Sequence, residues 1–397
     1  MISRRGLSLS LVTLAFSSIS LAQSISTTIH HQYQSPRAMG MGDAFVAVAN
    51  DYTAIFYNPA GLARREDGQI NLSMSYAATP GAKDFYDEYK VIEDNAALSE
   101  TDKQTQYLEL IQRHYGDVFS VRVSPLEAAW VRPNWGVALI PLDVSVEMAM
   151  HQQVGPTLNA TVYADTTLGL AYADDLKGFD HGRFSWGITG KFVNRGFFSK
   201  PISATDLAAS DEIVRKEDLL EGYTIDADIG VLWTPELPDE GFWSVLRLAR
   251  PTFGAVVRNV GEMGFGQSMK LVNKENTSTD RPEKLYRVYD LGSRWEYPSA
   301  WIFGGRGVLD VRDLGHPDFN WRKGIHAGLE FDWTVSSWWK GHYRFGLNGA
   351  DFRMWTAGLS AELGIFNLDL VTYANDVGTR NTPIESRVYA TRLNLDF

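Results

Sequence analysis

The sequence predicts an all-β chain: a transmembrane antiparallel β-barrel of about 14 strands, with an N-terminal luminal plug, in the outer membrane of a bacterial cell. Three observations carry this expectation. The N-terminus reads as an export signal. Beyond it, no apolar run reaches the ~18 residues that a membrane-crossing helix needs. In their place, segment after segment alternates apolar and polar residues with period two, the signature of strands with one greasy and one wet face.

Arg4 and Arg5 precede the apolar, Ser-rich run Leu7–Leu21, and Ser20-Leu21-Ala22 offers small residues at a cleavage site before Gln23. This pattern predicts a signal peptide over 1–22, a plug over 23–65 and a barrel over 66–397. The 397-residue chain has a formal net charge of −11, and removal of Arg4 and Arg5 makes it more acidic still. Nucleic acid is therefore excluded as a partner, because phosphate binding needs clustered Lys and Arg. Without cysteine there is no disulfide, thiol nucleophile or thiolate metal site, so stability must come from an extensive hydrogen-bonded framework.

The alternation is clearest at the C-terminus. Tyr389, Thr391, Leu393, Leu395 and Phe397 interleave with Ala390, Arg392, Asn394 and Asp396. The same reading places strands at 69–78, 118–131, 134–148, 158–173, 183–197, 222–234, 251–260, 285–297, 302–312, 322–333, 341–349, 352–363, 365–376 and 386–397. Long polar connections at 79–117, 198–221 and 261–284 alternate with tight ones such as Pro133-Asn134 and Gly364-Ile365, as external loops and periplasmic turns do. The connection 235–250 breaks that rule and suggests a small periplasmic helix. The charged stretch 83–116 reads as a solvated loop with a helix over Tyr107–His114, or as a lid or partner-binding knob. Trp233, Trp295, Trp321, Trp333, Tyr297 and Tyr373 are placed for interfacial girdles.

Residues 35–62 read SPRAMGMGDAFVAVANDYTAIFYNPAGL. They are too small for a lipid-facing strand and too apolar for a free tail, which suits a compact element inside a barrel. Gly40 and Gly42 allow close backbone approach. Asp43 is positioned to cap a short helix to Ala49, and Asn58-Pro59-Ala60-Gly61 is a turn signal. The preceding pair His30-His31 reads as an exposed linker.

This string, with its arginine, Met-Gly-Met-Gly, Asp51 and the terminal Asn58-Pro59-Ala60-Gly61-Leu62, resembles the N-terminal hatch of the FadL-type outer-membrane transporter superfamily, which includes PorV-like barrels. The C-terminal stretches GIHAGLEF, YRFGLNGA and TAGLSAELGIFNLDL resemble it too. The resemblance implies a barrel in outer-membrane lipid with Gly40, Gly42, Asp51, Asn58, Pro59 and Ala60 in the hatch. It implies one of two roles: passive uptake of a hydrophobic ligand (fatty acid-like or aromatic) without cofactor, or a PorV-like barrel that holds a secreted protein partner for secretion or surface attachment. In transporters of that type the hatch lies beside a kinked wall strand. Here Pro141, within GVALIPLDVSVEM, breaks the alternation and is the candidate lateral portal.

No catalytic motif is present: there is no G-x-S-x-G, H-E-x-x-H or phosphate-binding loop, so an enzyme is not expected, nor is a metal site. Strand parity turns Lys191, Arg195, Arg258, His342, Arg344 and Arg392 toward the lumen, facing Asp226, Asp228, Glu330, Glu362 and Asp369. Such charges mainly brace the wall. Alternatively, one or two arginines receive a ligand carboxylate.

Overall fold

The structure, a computed structural model, describes residues 28–151, 156–209, 213–275, 278–300, 303–378 and 383–397. The expected signal peptide and the start of the expected plug, up to residue 27, lie outside the described residues. Fourteen antiparallel strands form a closed barrel. They are β1 (Gln69–Ala78), β2 (Val118–Arg132), β3 (Trp135–His151), β4 (Thr157–Asp175), β5 (Gly182–Ser203), β6 (Leu220–Pro235) and β7 (Thr252–Arg258). There follow β8 (Val288–Ala300), β9 (Phe303–Leu314), β10 (Ile325–Ser336), β11 (Trp339–Asn348), β12 (Trp355–Leu363), β13 (Phe366–Asp376) and β14 (Glu385–Asp396). Each strand pairs with its sequence neighbours, and β14 returns to β1 in register from Asn71↔Asp396 to Ala78↔Tyr389. Closure leaves no edge unpaired at the seam, which is what hydrocarbon demands of a sheet.

The two faces of each strand sort by chemistry. Ile70, Leu72 and Met74 of β1 and Leu368 and Leu370 of β13 are exposed on the outer face, while Asn71, Ser73 and Asp369 are buried inside. An exposed apolar exterior around a polar interior inverts the soluble pattern and identifies a membrane-spanning barrel. Along the rim of short turns the aromatics touch: Trp130 with Trp135, Tyr172 with Trp186, Trp233 with Phe253, Phe253 with Trp295, and Trp333 with Trp339. Tyr373 does not join a girdle. It is buried inside, in a cluster with Met39, Val371 and Val388.

The strands fall where period two put them, with shifts of a few residues at the ends. The expected strand 251–260 is cut to seven residues. The stretch 83–116 holds two helices instead of one, Gly81–Glu93 and Glu100–Arg113. Phe85 and Tyr89 from the first, and Tyr107, Leu110 and Ile111 from the second, pack on Phe119, Met150, Leu158 and Phe198 at the tops of β2 to β5. This element is therefore a docked cap with its own core, not a loose solvated loop. The connection after β6 carries the small helix Phe242–Leu248. Among the described residues no helix is long and apolar enough to cross a membrane.

Candidate functional site

The chain ahead of β1 is bound to inward-facing residues of nearly the whole ring. It contains the short helices α1 (Pro36–Gly40) and α2 (Ala54–Tyr57) and a 3-10 turn over Pro59–Arg64. The helix expected from Asp43 to Ala49 does not form. Asp43 has φ of 62°, a left-handed conformation that ends regular structure, and Asp310 of β9 accepts the Phe45 and Val46 N–H groups at 2.6 and 2.8 Å. Wall contact outcompetes local helix here.

Each candidate hatch residue has a definable place. Thr356 Oγ1 of β12 donates to Gly40 O at 2.9 Å and accepts Gly42 N–H at 3.0 Å. Gly42 has φ of 67°, and a Cβ there would lie 2.3 Å from Leu347 O, so only glycine fits. Asp51 accepts Arg37 Nη1 at 2.7 Å, while Arg37 Nε and Nη2 donate to Glu330 of β10 at 3.0 and 2.9 Å. Asn58 is fully buried. Its Nδ2 donates to Val46 O at 2.8 Å and Val231 O of β6 at 3.2 Å, and its Oδ1 accepts Ala60 N–H at 3.1 Å. Pro59 and Ala60 pack against Gly187 of β5, where a Cβ would meet their backbone at 2.5 and 2.6 Å.

The luminal charges are brought together in pairs, and most also hold the N-terminal segment. Arg258 Nε meets Asp290 at 2.5 Å and its other nitrogens donate to Phe56 O and Tyr57 O. Arg344 bridges Glu330 (2.7 Å) and Asp369 (3.2 Å). Arg392 pairs with Glu127 and donates to the Tyr33 and Tyr52 hydroxyls at 2.9 and 3.2 Å. Lys191 meets Asp228 at 2.8 Å and Gln32 at 3.1 Å, and His342 lies between Asp332 and Glu362. Asp226, expected opposite a cation, instead accepts the backbone N–H groups of Gly261 and Met263.

His30 and His31 are not an exposed linker. His30 stacks on Tyr163 with centroids 3.7 Å apart and hydrogen-bonds Asp165, which Arg195 also holds at 2.6 Å. Burial lowers the His30 pKa to about 4, so it sits neutral between that carboxylate and guanidinium. His31 meets Asp313 at 3.0 Å. Nothing in the local pattern around residue 30 announces this, since the partners lie on β4 and β9.

Two cavities flank the segment. The larger, about 140 Å³, is lined by aromatic residues (Tyr33, Phe56, Tyr163) together with His30, Lys191 and Arg195. It is thus of mixed polarity, not the apolar pocket a purely hydrophobic ligand suggests. The smaller, about 30 Å³, is lined by Tyr33, Gln34, Ser124, Glu127, Ile140 and Asp143. It lies at the strand irregularity around Pro141. Pairing jumps from Ile140↔Thr167 to Asp143↔Asp165, so Pro141 and Leu142 oppose Thr166 alone, and Thr166 Oγ1 donates to Pro141 O at 2.7 Å. A second proline, Pro125 on β2, was not singled out from the sequence. There β1–β2 pairing jumps from Ser73↔Glu127 to Ser75↔Ser124. Two prolines on neighbouring strands disturb one patch of wall.

No protein-family model matches the chain, and no curated protein sequence matches it. Solved structures do. The chain is similar to the toluene transporter TbuX of Ralstonia pickettii, at 9% identity and a TM-score of 0.47, over 92% of this chain and 98% of that one. It is similar to the toluene transporter TodX of Pseudomonas putida, at 9% identity and 0.44, over 94% and 98%. A Pseudomonas aeruginosa FadL homologue matches at 11% identity and 0.39, over 90% and 96%.

Proposed function

We propose that the chain is an outer-membrane conduit for passive uptake of small hydrophobic molecules, held closed by its N-terminal segment acting as a hatch. The observation that carries this reading is the pair of cavities separated by Tyr33, which lines both. The larger, at about 140 Å³, is close to the ~150 Å³ of an engineered cavity that takes benzene. Its size favours a single-ring aromatic over an extended fatty-acid chain. A ligand would enter below the external loops, rest against Tyr33, Phe56 and Tyr163, and move on when residues 30–34 shift. Leaving through the wall at Pro141 requires a few backbone groups without ladder partners, which the bulge supplies. Downhill movement calls on no cofactor.

The test is uptake of labelled toluene, and of a labelled long-chain fatty acid, by cells expressing the chain. Toluene uptake is expected to exceed that of the acid. Pro141→Val should restore a ladder bond and slow toluene uptake several-fold with barrel assembly unchanged. Unchanged uptake in Pro141→Val rules out the route at that strand. A parent chain that takes up neither compound sinks the conduit reading.

A second reading, a PorV-like barrel that holds a secreted protein, is favoured by the charged share of the cavity lining and by the helical cap on β2 to β5. Cells lacking the chain would then lose surface display of a secreted protein, with small-molecule uptake unaffected.

A further inference from the structure

Half of one wall lacks a strand. β7 pairs with β6 only from Trp233↔Phe253 to Ile229↔Val257, although β6 continues up to Leu220. Above that point the side of β6 turned away from β5 faces the irregular chain between β7 and β8. Among the described residues, three backbone hydrogen bonds join this chain to the bare edge. Val260 N–H donates to Ala227 O (2.9 Å), Gly266 N–H to Tyr223 O (2.7 Å), and Tyr223 N–H to Gln267 O (3.3 Å). Other N–H groups of the chain are received by carboxylates in place of a ladder. Asp228 accepts Asn259, Asp226 accepts Gly261 and Met263, and Glu221 accepts Leu271 and Asn273.

The break lies inside the apolar band. On the outer face of β6 the exposed row Trp233, Ile229, Ile225 and Tyr223 runs past it, with Ile225 65% exposed. Tyr223 stacks on Phe192 of β5 at the top of that row. Irregular backbone at such a depth persists only where its polar groups are satisfied, and Asp226, Asp228 and Glu221 do this. Opening it moves a chain held by three backbone bonds and by carboxylate side chains that can follow it, whereas parting two full strands breaks a continuous backbone ladder. The proline bulge differs in kind: Ile140 and Asp143 on either side of it keep their partners on β4.

Behind the break stands one aromatic side chain. Phe265 is buried against Val193 and Leu285, and the Arg195 guanidinium lies 5.4 Å from its ring. Arg195 and Leu285 both line the larger cavity. Phe265 sits in the run Gly261-Glu262-Met263-Gly264-Phe265-Gly266, where a Cβ at Gly264 would meet nothing within 4 Å, so the backbone beside it has room to turn. Met263 is exposed next to it.

We infer that this break is a side window through which the cavity exchanges lipophilic, ring-sized molecules with the outer leaflet, and that Phe265 is its gate. The inference rests on the conduit reading above. It adds a second lateral opening, remote from Pro141, and gives the short β7 a purpose.

The chain has no cysteine of its own, so a reversible lock can be built. A Cβ at Gly222 would lie 2.9 Å from the Phe265 Cβ, a small shift from the ~3.8 Å of a disulfide. The variant Gly222→Cys/Phe265→Cys is expected to take up labelled toluene about fivefold or more slowly when oxidised than when reduced, with dithiothreitol restoring the rate. Equal rates in the two redox states, with the parent active, overturn the window and leave the conduit reading standing. A parent that takes up no toluene overturns the window, and one that takes up neither toluene nor the long-chain acid overturns the conduit reading with it. Phe265→Ala guards against misassembly of the double variant. It is expected to speed uptake several-fold, and unchanged or slower uptake by that variant, with the barrel assembled and the parent active, overturns the gate.

Discussion

Leucine at Gly187 is expected to leave a barrel that assembles but leaks small solutes, whereas leucine at Gly190, three residues along the same strand, is expected to change nothing. The two glycines face opposite sides of β5. A Cβ at Gly187 would sit 2.5 Å from the Pro59 carbonyl carbon and 2.6 Å from Ala60 N, both backbone atoms that have nowhere to go. A Cβ at Gly190 finds its nearest neighbour at 4.0 Å. Gly187 is not alone: a Cβ at Gly230 would lie 2.1 Å from Asn58 Oδ1, and one at Gly328 would lie 2.4 Å from Met41 O. The inner wall thus carries a footprint of the N-terminal segment written in missing side chains. Overpacking one such point costs about 1–3 kcal/mol or more, paid where the segment docks and not in the strand ladder. The measurement is solute-induced swelling of vesicles holding each variant, with heat-modifiable gel migration to show that the barrel is folded. Swelling of the Gly187→Leu vesicles no faster than the parent's would mean that the segment does not close the lumen at that point.

Glu330→Ala is expected to be the most damaging single truncation in the lumen. Glu330 is fully buried on β10 and faces three guanidinium groups, Arg37 at 2.9 Å, Arg344 at 2.7 Å and Arg306 at 3.3 Å. Arg344 is almost fully buried, and Arg37 and Arg306 are mostly so. Removing the shared carboxylate leaves each arginine only its second one, Asp51 for Arg37, Asp369 for Arg344 and Asp332 for Arg306, so the loss runs up to the about 3–5 kcal/mol of a fully stranded buried charge. Because Arg37 belongs to the N-terminal segment, the loss should appear first as release of that segment. Limited trypsin treatment of the folded barrel is expected to cut after Arg37 in Glu330→Ala and not in the parent. The urea midpoint should fall with it. Protection of Arg37 together with an unchanged midpoint would show that Asp51, Asp369 and Asp332 suffice to hold Arg37, Arg344 and Arg306.

The barrel was legible because its rule is local. Strands such as Trp355–Leu363 and Phe366–Asp376 announce themselves by alternation alone, and the alternation also told which charges face inward. In the N-terminal segment the turn at Asn58-Pro59 and the close backbone approach at Gly40 and Gly42 were legible in outline. The conformation between them was not, since the Asp43–Ala49 stretch has helix-compatible residues and is unwound by Asp310, a residue far away in sequence. The same distance hid the roles of His30 and of the wall glycines: an inward glycine has meaning only once the register of wall and segment is known. The early end of β7 at Arg258 was masked by the apolar, strand-like residues that precede it. Pro125 leaves little trace in the pattern because the alternation in β2 recovers quickly around it, whereas at Pro141 it does not.

As proposed above, the N-terminal segment makes the closed barrel a gated conduit. The direct test is the conductance of single barrels in a planar bilayer, comparing the full chain with one lacking residues 36–61. A closed, rarely opening parent and a steadily open, folded deletion variant are expected. Equal conductance of the two would contradict the proposal.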